Sequence, residues 1–318
     1  MGDLGADGDA HAVAQGNVPS HWPKRRIAAT VGVKESAGEA AQIRPMIGPG
    51  TTEPFISIVI PAKNEARNLP RVFAKLPTDN CEVILVDGNS TDGTVSEAQR
   101  LRPEITVIGQ TRTGKGNALA CGFSAAIGDF IVMIDADGSN DPAEIPCFVS
   151  ALKEGADFAK GSRFLAGGGS HDISLLRRVG NYWLNKTVNL LYGTRYTDLC
   201  YGYNAFRREC LDVMALDAGG ADTDDGTMQW GDGFEVETLI NVRIAKAGLR
   251  VTEVPSFEML RQFGASNLNA LSDGLRVLRT IHAEFNRTSQ KTSAESVGSQ
   301  TVAGTSWSVL STSGEEAS

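Results

Sequence analysis

The 318-residue sequence predicts an α/β fold, a mostly parallel central sheet with helices on both faces, and three observations lead there. Short apolar runs rich in β-branched residues recur between residues 55 and 135, and they are continuously apolar instead of alternating, as strands buried on both faces are. Segments of helical period separate them. Polar turns follow three of the runs (PAKNE, DGNSTDGT and DADGSND), at the strand ends where sheets of this kind bind ligands.

The elements follow in order. FISIVI (Phe55 to Ile60) is a strand that Pro61 is expected to stop, and Glu65 to Leu76 carries a helical pattern. EVILVD (Glu82 to Asp87) is a strand, TVSEAQRL a helix, ITVIG a strand, GNALACGFSAAI a helix and FIVMID a strand. PAEIPCFVSALKEG is a helix whose first turn takes Pro142 after Asp141. After about residue 160 the pattern loosens into a glycine-rich loop, GSRFLAGGGSHD, a long amphipathic helix around Leu175 to Tyr192, and the polar segment TDLCYGYNAFRREC.

Residues 1–50 and 287–318 lack hydrophobic period and are expected to be disordered tails around one domain, 51–286. A net charge of −8 disfavours nucleic acid as a partner. Five cysteines without a C-x-x-C pair suggest neither a disulfide framework nor zinc, and a reducing cytoplasm fits best. No apolar run approaches the roughly 20 residues that span a bilayer. His11, His21, His171 and His282 form no constellation.

MIDADGSNDP (Met133 to Pro142) ends a buried strand with two carboxylates, Asp135 and Asp137, that repel each other unless something compensates them. Few, hard oxygen ligands suit Mg2+ or Mn2+ shared with a diphosphate. A solvated turn capping the next helix is the alternative. In TRTGKGNALACG, Arg112 and Lys115 lie at a helix start, where backbone amides favour a phosphate, although the P-loop spacing is absent. Asp198, Asp232, Glu235 and Glu237 are candidate general bases if a hydroxyl must be activated. Leu175, Leu176, Val179, Trp183, Val188 and Leu191 form one helical face, and Leu268, Leu271, Leu275, Leu278, Ile281 and Phe285 another. Either could lie in a membrane interface, but packing on the sheet is the commoner fate and the expectation here.

In combination, PAKNEARNL, VDGNSTDGT, GKGNAL, MIDADGSNDP, GSRF and a final R-x-x-G-x-S-N resemble the family 2 nucleotide-sugar glycosyltransferases of GT-A fold, a Rossmann-like nucleotide-diphospho-sugar transferase architecture in one domain. Within that family the chain is most similar to the dolichyl- or polyprenyl-phosphate sugar synthases, over residues 55 to 268. The resemblance implies a donor half at about 55–160 and an acceptor half at about 161–286. It implies that Pro61, Asn64, Glu65 and Asp87 line the base and ribose pocket, that Lys115 lies near the diphosphate, and that Asp135 and Asp137 lie near Mg2+ or Mn2+, with Asp137 catalytic. Arg163, Arg177 and Arg261 would hold the acceptor phosphate as catalytic and acceptor-binding groups, beside Asn181 and Ser266. Asp87-Gly88-Asn89-Ser90, Ser139, Asn181 and Asn267 depart from the usual family residues.

The expectation is therefore a metal-dependent hexosyltransferase, cytoplasmic or peripheral at the inner membrane face, using a GDP- or UDP-sugar donor and a polyprenyl phosphate acceptor. The alternatives are transfer to a hydroxyl of a carbohydrate or small metabolite, and a non-catalytic nucleotide-sugar-binding module.

Overall fold

The computed structural model describes residues 53–219, 228–264 and 270–287, with side chains from Gly274 onward in the last segment. The expected tails lie outside the described residues apart from Arg287, as do Ser266 and Asn267. Among the described residues, β1 (Ile56–Ala62), β2 (Cys81–Asp87), β3 (Thr106–Gly109), β4 (Phe130–Met133), β5 (Phe158–Ser162), β7 (Asn204–Arg207) and β8 (Val251–Pro255) form one sheet in the order β3-β2-β1-β4-β7-β5-β8. β7 alone runs antiparallel to its neighbours. A two-stranded parallel ribbon joins β6 (Gly169–Ser170) to β9 (Phe257–Glu258).

The continuous apolar strands are explained by burial on both faces. Ile56, Ile58 and Ile60 pack with Leu69, Val72, Phe148 and Leu152 on one side of the sheet, whereas Val59, Ile84, Val86 and Met133 pack with Leu119, Phe123, Val236 and Ile240 on the other. The first cluster takes α1 (Leu69–Phe73) and α4 (Ile145–Lys153), and the second takes α3 (Lys115–Ala125) and α7 (Val236–Lys246). α2 (Thr94–Leu101) sends Ala98 into the first cluster. α6 (Cys210–Met214) packs in the second.

Two expectations are corrected here. Pro61 does not stop β1, which runs to Ala62. Alternate residues turn their N–H to opposite neighbours; Val59 O accepts from Ile134 N–H and Ala62 O from Gly88 N–H, so Pro61 faces β4 one step beyond the last β1–β4 pair, where no N–H is needed. The first helix is shorter than the pattern of Glu65 to Leu76, because Asp92 Oδ2 and Thr94 Oγ1 accept the N–H groups of Ala66 and Glu65 and hold those residues in a turn.

The long helix α5 (Leu175–Tyr192) and the terminal helix α8 (Ala270–Asn286) form a third layer with α7, around Val188, Tyr196, Val242, Val277 and Ile281. The expectation that the amphipathic faces pack on the sheet fails for both helices: α8 packs on α7 and α5, and α5 turns most of its apolar residues outward. Leu175 is 76% exposed, Trp183 65% and Leu190 86%, and Leu176, Val179 and Tyr182 are exposed as well.

α3 lies close on the sheet because of Gly122, where a Cβ would strike Val59 Cγ1 and come within 2.9 Å of Val86 Cγ2. Gly122→Ala, which improves helix propensity, is therefore expected to destabilise the fold by about 1–3 kcal/mol, read as a lowered urea midpoint.

Candidate active site

The chain winds from β1 outward to β2 and β3 and then returns to β4 on the other side, so the carboxyl ends of β1 and β4 flank the topological switch point. Asp135 and Asp137 stand there. Asp135 N–H donates to Asn140 Oδ1 at 2.8 Å, Ser139 N–H donates to Asp137 Oδ1 at 2.9 Å, and Gly138 closes the turn with φ +78°. Two cations from distant elements compensate the carboxylates. Lys115 Nζ, from the first residue of α3, lies 2.6 Å from Asp135 Oδ1 and 2.7 Å from Glu237 Oε1. Arg261, three residues after β9, places Nη2 2.5 Å from Asp137 Oδ2 and Nη1 3.6 Å from Glu65 Oε1. Burial works against the charge on Lys115, but its two carboxylates outweigh it and hold the ammonium above its usual range. Burial raises the Glu65 carboxyl above the ordinary carboxylate range, against the hydrogen bond from Asn68 and the charge of Arg261.

A second charged cluster lies on the far side of the cleft. Arg163, just past β5, donates in bidentate fashion to the fully buried Asp198 at 2.7 and 2.9 Å, and its Nη1 reaches Glu258 Oε2 at 3.0 Å. Asn181 Nδ2 of α5 donates to Asp198 Oδ1 at 3.0 Å. Burial opposes the Arg163 charge, and Asp198 with Glu258 more than offsets this, holding it above its ordinary value. The Arg163 guanidinium also sits 4.7 Å above the ring of Tyr201. The Tyr201 hydroxyl accepts from Asn140 Nδ2 at 3.1 Å and meets Ser256 Oγ at 3.0 Å, and Ser256 donates to Glu144 Oε2 at 2.5 Å. Asn140 thus ties the acidic turn to the arginine cluster through a buried polar chain.

One cleft of about 480 Å³ is lined by Pro61, Glu65, Lys115, Asp135, Asp137, Arg163, Arg177, Asn181 and Arg261. Arg177 Nη1 lies 3.6 Å from Asp172 Oδ2. Asn64 and Asp87 are not among the lining residues. Asn64, at φ +57°, accepts Thr91 N–H at 2.8 Å, and Asp87 accepts Ser90 N–H at 3.2 Å, so both side chains shape the neighbouring loop. Arg112 does not face a phosphate site; its guanidinium is buried against Asp232, with Asp217 O also accepting. Among the candidate bases, Glu237 lines the cleft, whereas Asp198 holds Arg163, Asp232 holds Arg112 and Glu235 Oε1 accepts the N–H of Gly231. Glu258 and Tyr201 also line the cleft, and no sequence pattern marks them for it, whereas Asn140, which braces the site from behind, lies inside the MIDADGSNDP turn.

Among the described residues no group of three or more His, Cys, Asp or Glu is arranged to hold a metal ion. Two adjacent aspartates at the cleft wall fit Mg2+ or Mn2+ that completes its shell with water and diphosphate oxygens, and do not fit a metal caged by protein alone.

A mostly parallel sheet with the acidic turn at its switch point agrees with the GT-A architecture expected from the sequence. The profile of "Glycosyl transferase family 2" matches residues 57–214. The chain is 30% identical over 220 residues to an undecaprenyl-phosphate mannosyltransferase of Micrococcus luteus, covering 66% of this chain and 86% of that protein. It is 30% identical over 222 residues to a polyprenol monophosphomannose synthase of Mycolicibacterium smegmatis, covering 67% and 80%. Glucosyl-3-phosphoglycerate synthase from Mycobacterium tuberculosis, solved with uridine diphosphate, shares the fold with a TM-score of 0.56 at 22% identity, over 73% of this chain and 80% of that one. The same enzyme has been solved with Mn2+, UDP and glucosyl-3-phosphoglycerate (TM-score 0.52). The chain belongs to glycosyltransferase family 2 and is a glycosyltransferase.

The Arg163–Asp198 pair is buried, and removing Asp198 takes away the bidentate partner of Arg163, which keeps only Glu258, and leaves the Asn181 amide without its acceptor. Asp198→Ala is expected to cost about 3–5 kcal/mol of stability, measured by chemical denaturation.

Proposed function

We propose that this glycosyltransferase moves a hexose from a GDP- or UDP-sugar to a polyprenyl phosphate, in the cytoplasm at the inner face of a membrane. The observation that carries the reading is the sharing of one cleft by Asp135, Asp137 and Lys115 with Arg163, Arg177 and Arg261. The names of the relatives at 30% identity support the same acceptor class.

In this reading Pro61 and Glu65 face the nucleoside, with Asn64 and Asp87 shaping the loop beside it, and Lys115 turns from Asp135 toward the diphosphate. Asp135 and Asp137 would hold Mg2+ or Mn2+, which supplies positive charge to the departing diphosphate. Arg163, Arg177 and Arg261 orient the acceptor phosphate, with Asn181 bracing Asp198 behind Arg163 and Ser266 in the terminal arm. The acceptor is already an anion at neutral pH, so its oxygen can attack the anomeric carbon with no base to deprotonate it. The new C1–O bond forms as the bond from C1 to the diphosphate breaks, the electron pair leaves with the nucleoside diphosphate, and configuration inverts.

A second reading, transfer to a sugar or metabolite hydroxyl, is favoured by one observation: Arg163 is already neutralised by Asp198 and Glu258, and Glu237 lines the same cleft as a candidate base. The two separate on where label from a nucleotide sugar appears. With polyprenyl phosphate present, label is expected in the lipid extract; label confined to a water-soluble glycan or metabolite would overturn the first reading. Asp137→Ala should lower transfer by about a hundredfold or more while the far-UV circular dichroism keeps its native form, and EDTA should abolish wild-type turnover until Mn2+ is restored.

α5 supports contact with a lipid surface. LLRRVGNYWLNKTVNLLY contains no acidic residue and carries Arg177, Arg178 and Lys186 beside the exposed Leu175, Val179, Tyr182 and Trp183, against the acidic balance of the whole chain. No helix among the described residues is long and apolar enough to cross a membrane. The protein is expected to sediment with vesicles containing phosphatidylglycerol and to be released by salt, and the Trp183→Glu, Leu190→Glu double variant is expected to stay in the supernatant.

A further inference from the structure

Among the described residues, four glycines lie within helices of eight residues or more: Gly116 and Gly122 in α3, Gly180 in α5 and Gly274 in α8. A glycine inside a helix costs about 1 kcal/mol relative to alanine, so each position calls for a physical reason. In α3 the reason is close packing. A Cβ at Gly116 would strike the Gly231 carbonyl, and one at Gly122 would strike Val59.

Gly180 and Gly274 have no such reason. Among the described residues nothing lies within 4 Å of where either Cβ would sit, and neither has a positive φ. Both instead line the cleft that holds the acidic turn and the arginines. Along α5 the cleft-lining residues Leu176, Gly180 and Leu184 fall four apart on one stripe, so the glycine is a notch between two leucines. Along α8, Gly274 and Val277 line it at a spacing of three. Leu176, Gly180, Leu184, Gly274 and Val277 thus make an apolar slot at one end of the same cleft, open to solvent at the exposed Leu176 and Gly180. On α5 the residues of the two parts alternate: Leu176, Arg177, Gly180, Asn181 and Leu184.

We infer that this slot seats the first isoprene units of the acceptor, and that Gly180 and Gly274 set its width. The inference rests on the polyprenyl phosphate reading above and adds where the chain goes. Continuity argues for a prenyl chain as the occupant: a phosphate held at Arg177 and Arg163 has its ester substituent directed along the same stripe of α5, whose neighbouring face is the acid-free apolar surface. A sugar or glycerate acceptor would gain nothing from a slot walled by leucine and valine.

The test compares kcat/KM for undecaprenyl phosphate with that for dimethylallyl phosphate, which has one isoprene unit. For Gly180→Leu and Gly274→Leu the ratio of long to short acceptor is expected to fall about tenfold, through a raised KM for the long one. Gly180→Ala is expected to melt no lower than the wild type, in contrast to Gly122→Ala, which shows that the glycine is not there for packing. An unchanged ratio, or a parallel loss on both acceptors, would overturn the slot. Wild type that uses both acceptors without chain-length preference sinks the slot alone, whereas wild type that uses neither sinks the acceptor reading and the slot with it.

Discussion

Two carboxylates one residue apart at the end of a buried strand are the constraint around which the rest of this molecule is arranged. β4 delivers Asp135 and Asp137 to the switch point, and they repel unless cations stand beside them. Those cations come from remote parts of the chain, Lys115 from the start of α3 and Arg261 from beyond β9. α3 can bring Lys115 there because Gly116 lets its first turn touch the backbone at Gly231 and Asp232, where Gly116 N–H donates to Asp232 O at 2.6 Å. The chain before about residue 160 and the chain after it are thus joined by charge at the site itself. The buried relay from Asn140 through Tyr201 and Ser256 to Glu144 joins them a second time, through hydrogen bonds.

The chain up to about residue 160 was legible because its signals are local. Strands such as EVILVD and helices such as TVSEAQRL need only their own residues to be recognised, and β2 and α2 fall on those spans. The chain beyond that point was less legible for a physical reason. β5 is fully buried yet contains Lys160, whose ammonium donates to Tyr201 O at 3.0 Å, and burial lowers its affinity for a proton. β7 and β8 are short, and their residues satisfy neighbours made by tertiary structure: Asn204–Arg207 runs against β4 and β5, and Val251–Pro255 is an edge. Arg112 shows the same limit in the site. Its place at a helix start favours a phosphate, but Asp232, 120 residues on, takes the guanidinium first.

Periodicity in α5 and α8 marks apolar residues along each helix but not which of them are covered, and the structure divides both expected faces; on α5 Val188 is buried whereas Leu175, Val179 and Trp183 are exposed. α8 turns Val277 and Ile281 inward and leaves Leu275, Leu278 and Phe285 outside. α5 buries mainly polar residues, Asn181 and Asn185, whose amides hold Asp198 Oδ1 and the Thr197 carbonyl, while most of its large apolar residues face outward. That inversion distinguishes a helix spent on a site and a surface from one spent on the core.

The charge of the cleft bears on the order in which ligands arrive. Among the described residues five cations line it, Lys63, Lys115, Arg163, Arg177 and Arg261, against six carboxylates, Glu65, Asp135, Asp137, Asp172, Glu237 and Glu258. On the reading proposed above, a cleft so balanced would gain little from a bare diphosphate; a divalent ion arriving with the donor would answer Asp135 and Asp137 and leave Lys115 and Arg261 to new anions. Each cation would then trade one anionic partner for another, a near-even exchange that would orient the phosphate groups without holding them so tightly that the nucleoside diphosphate could not leave.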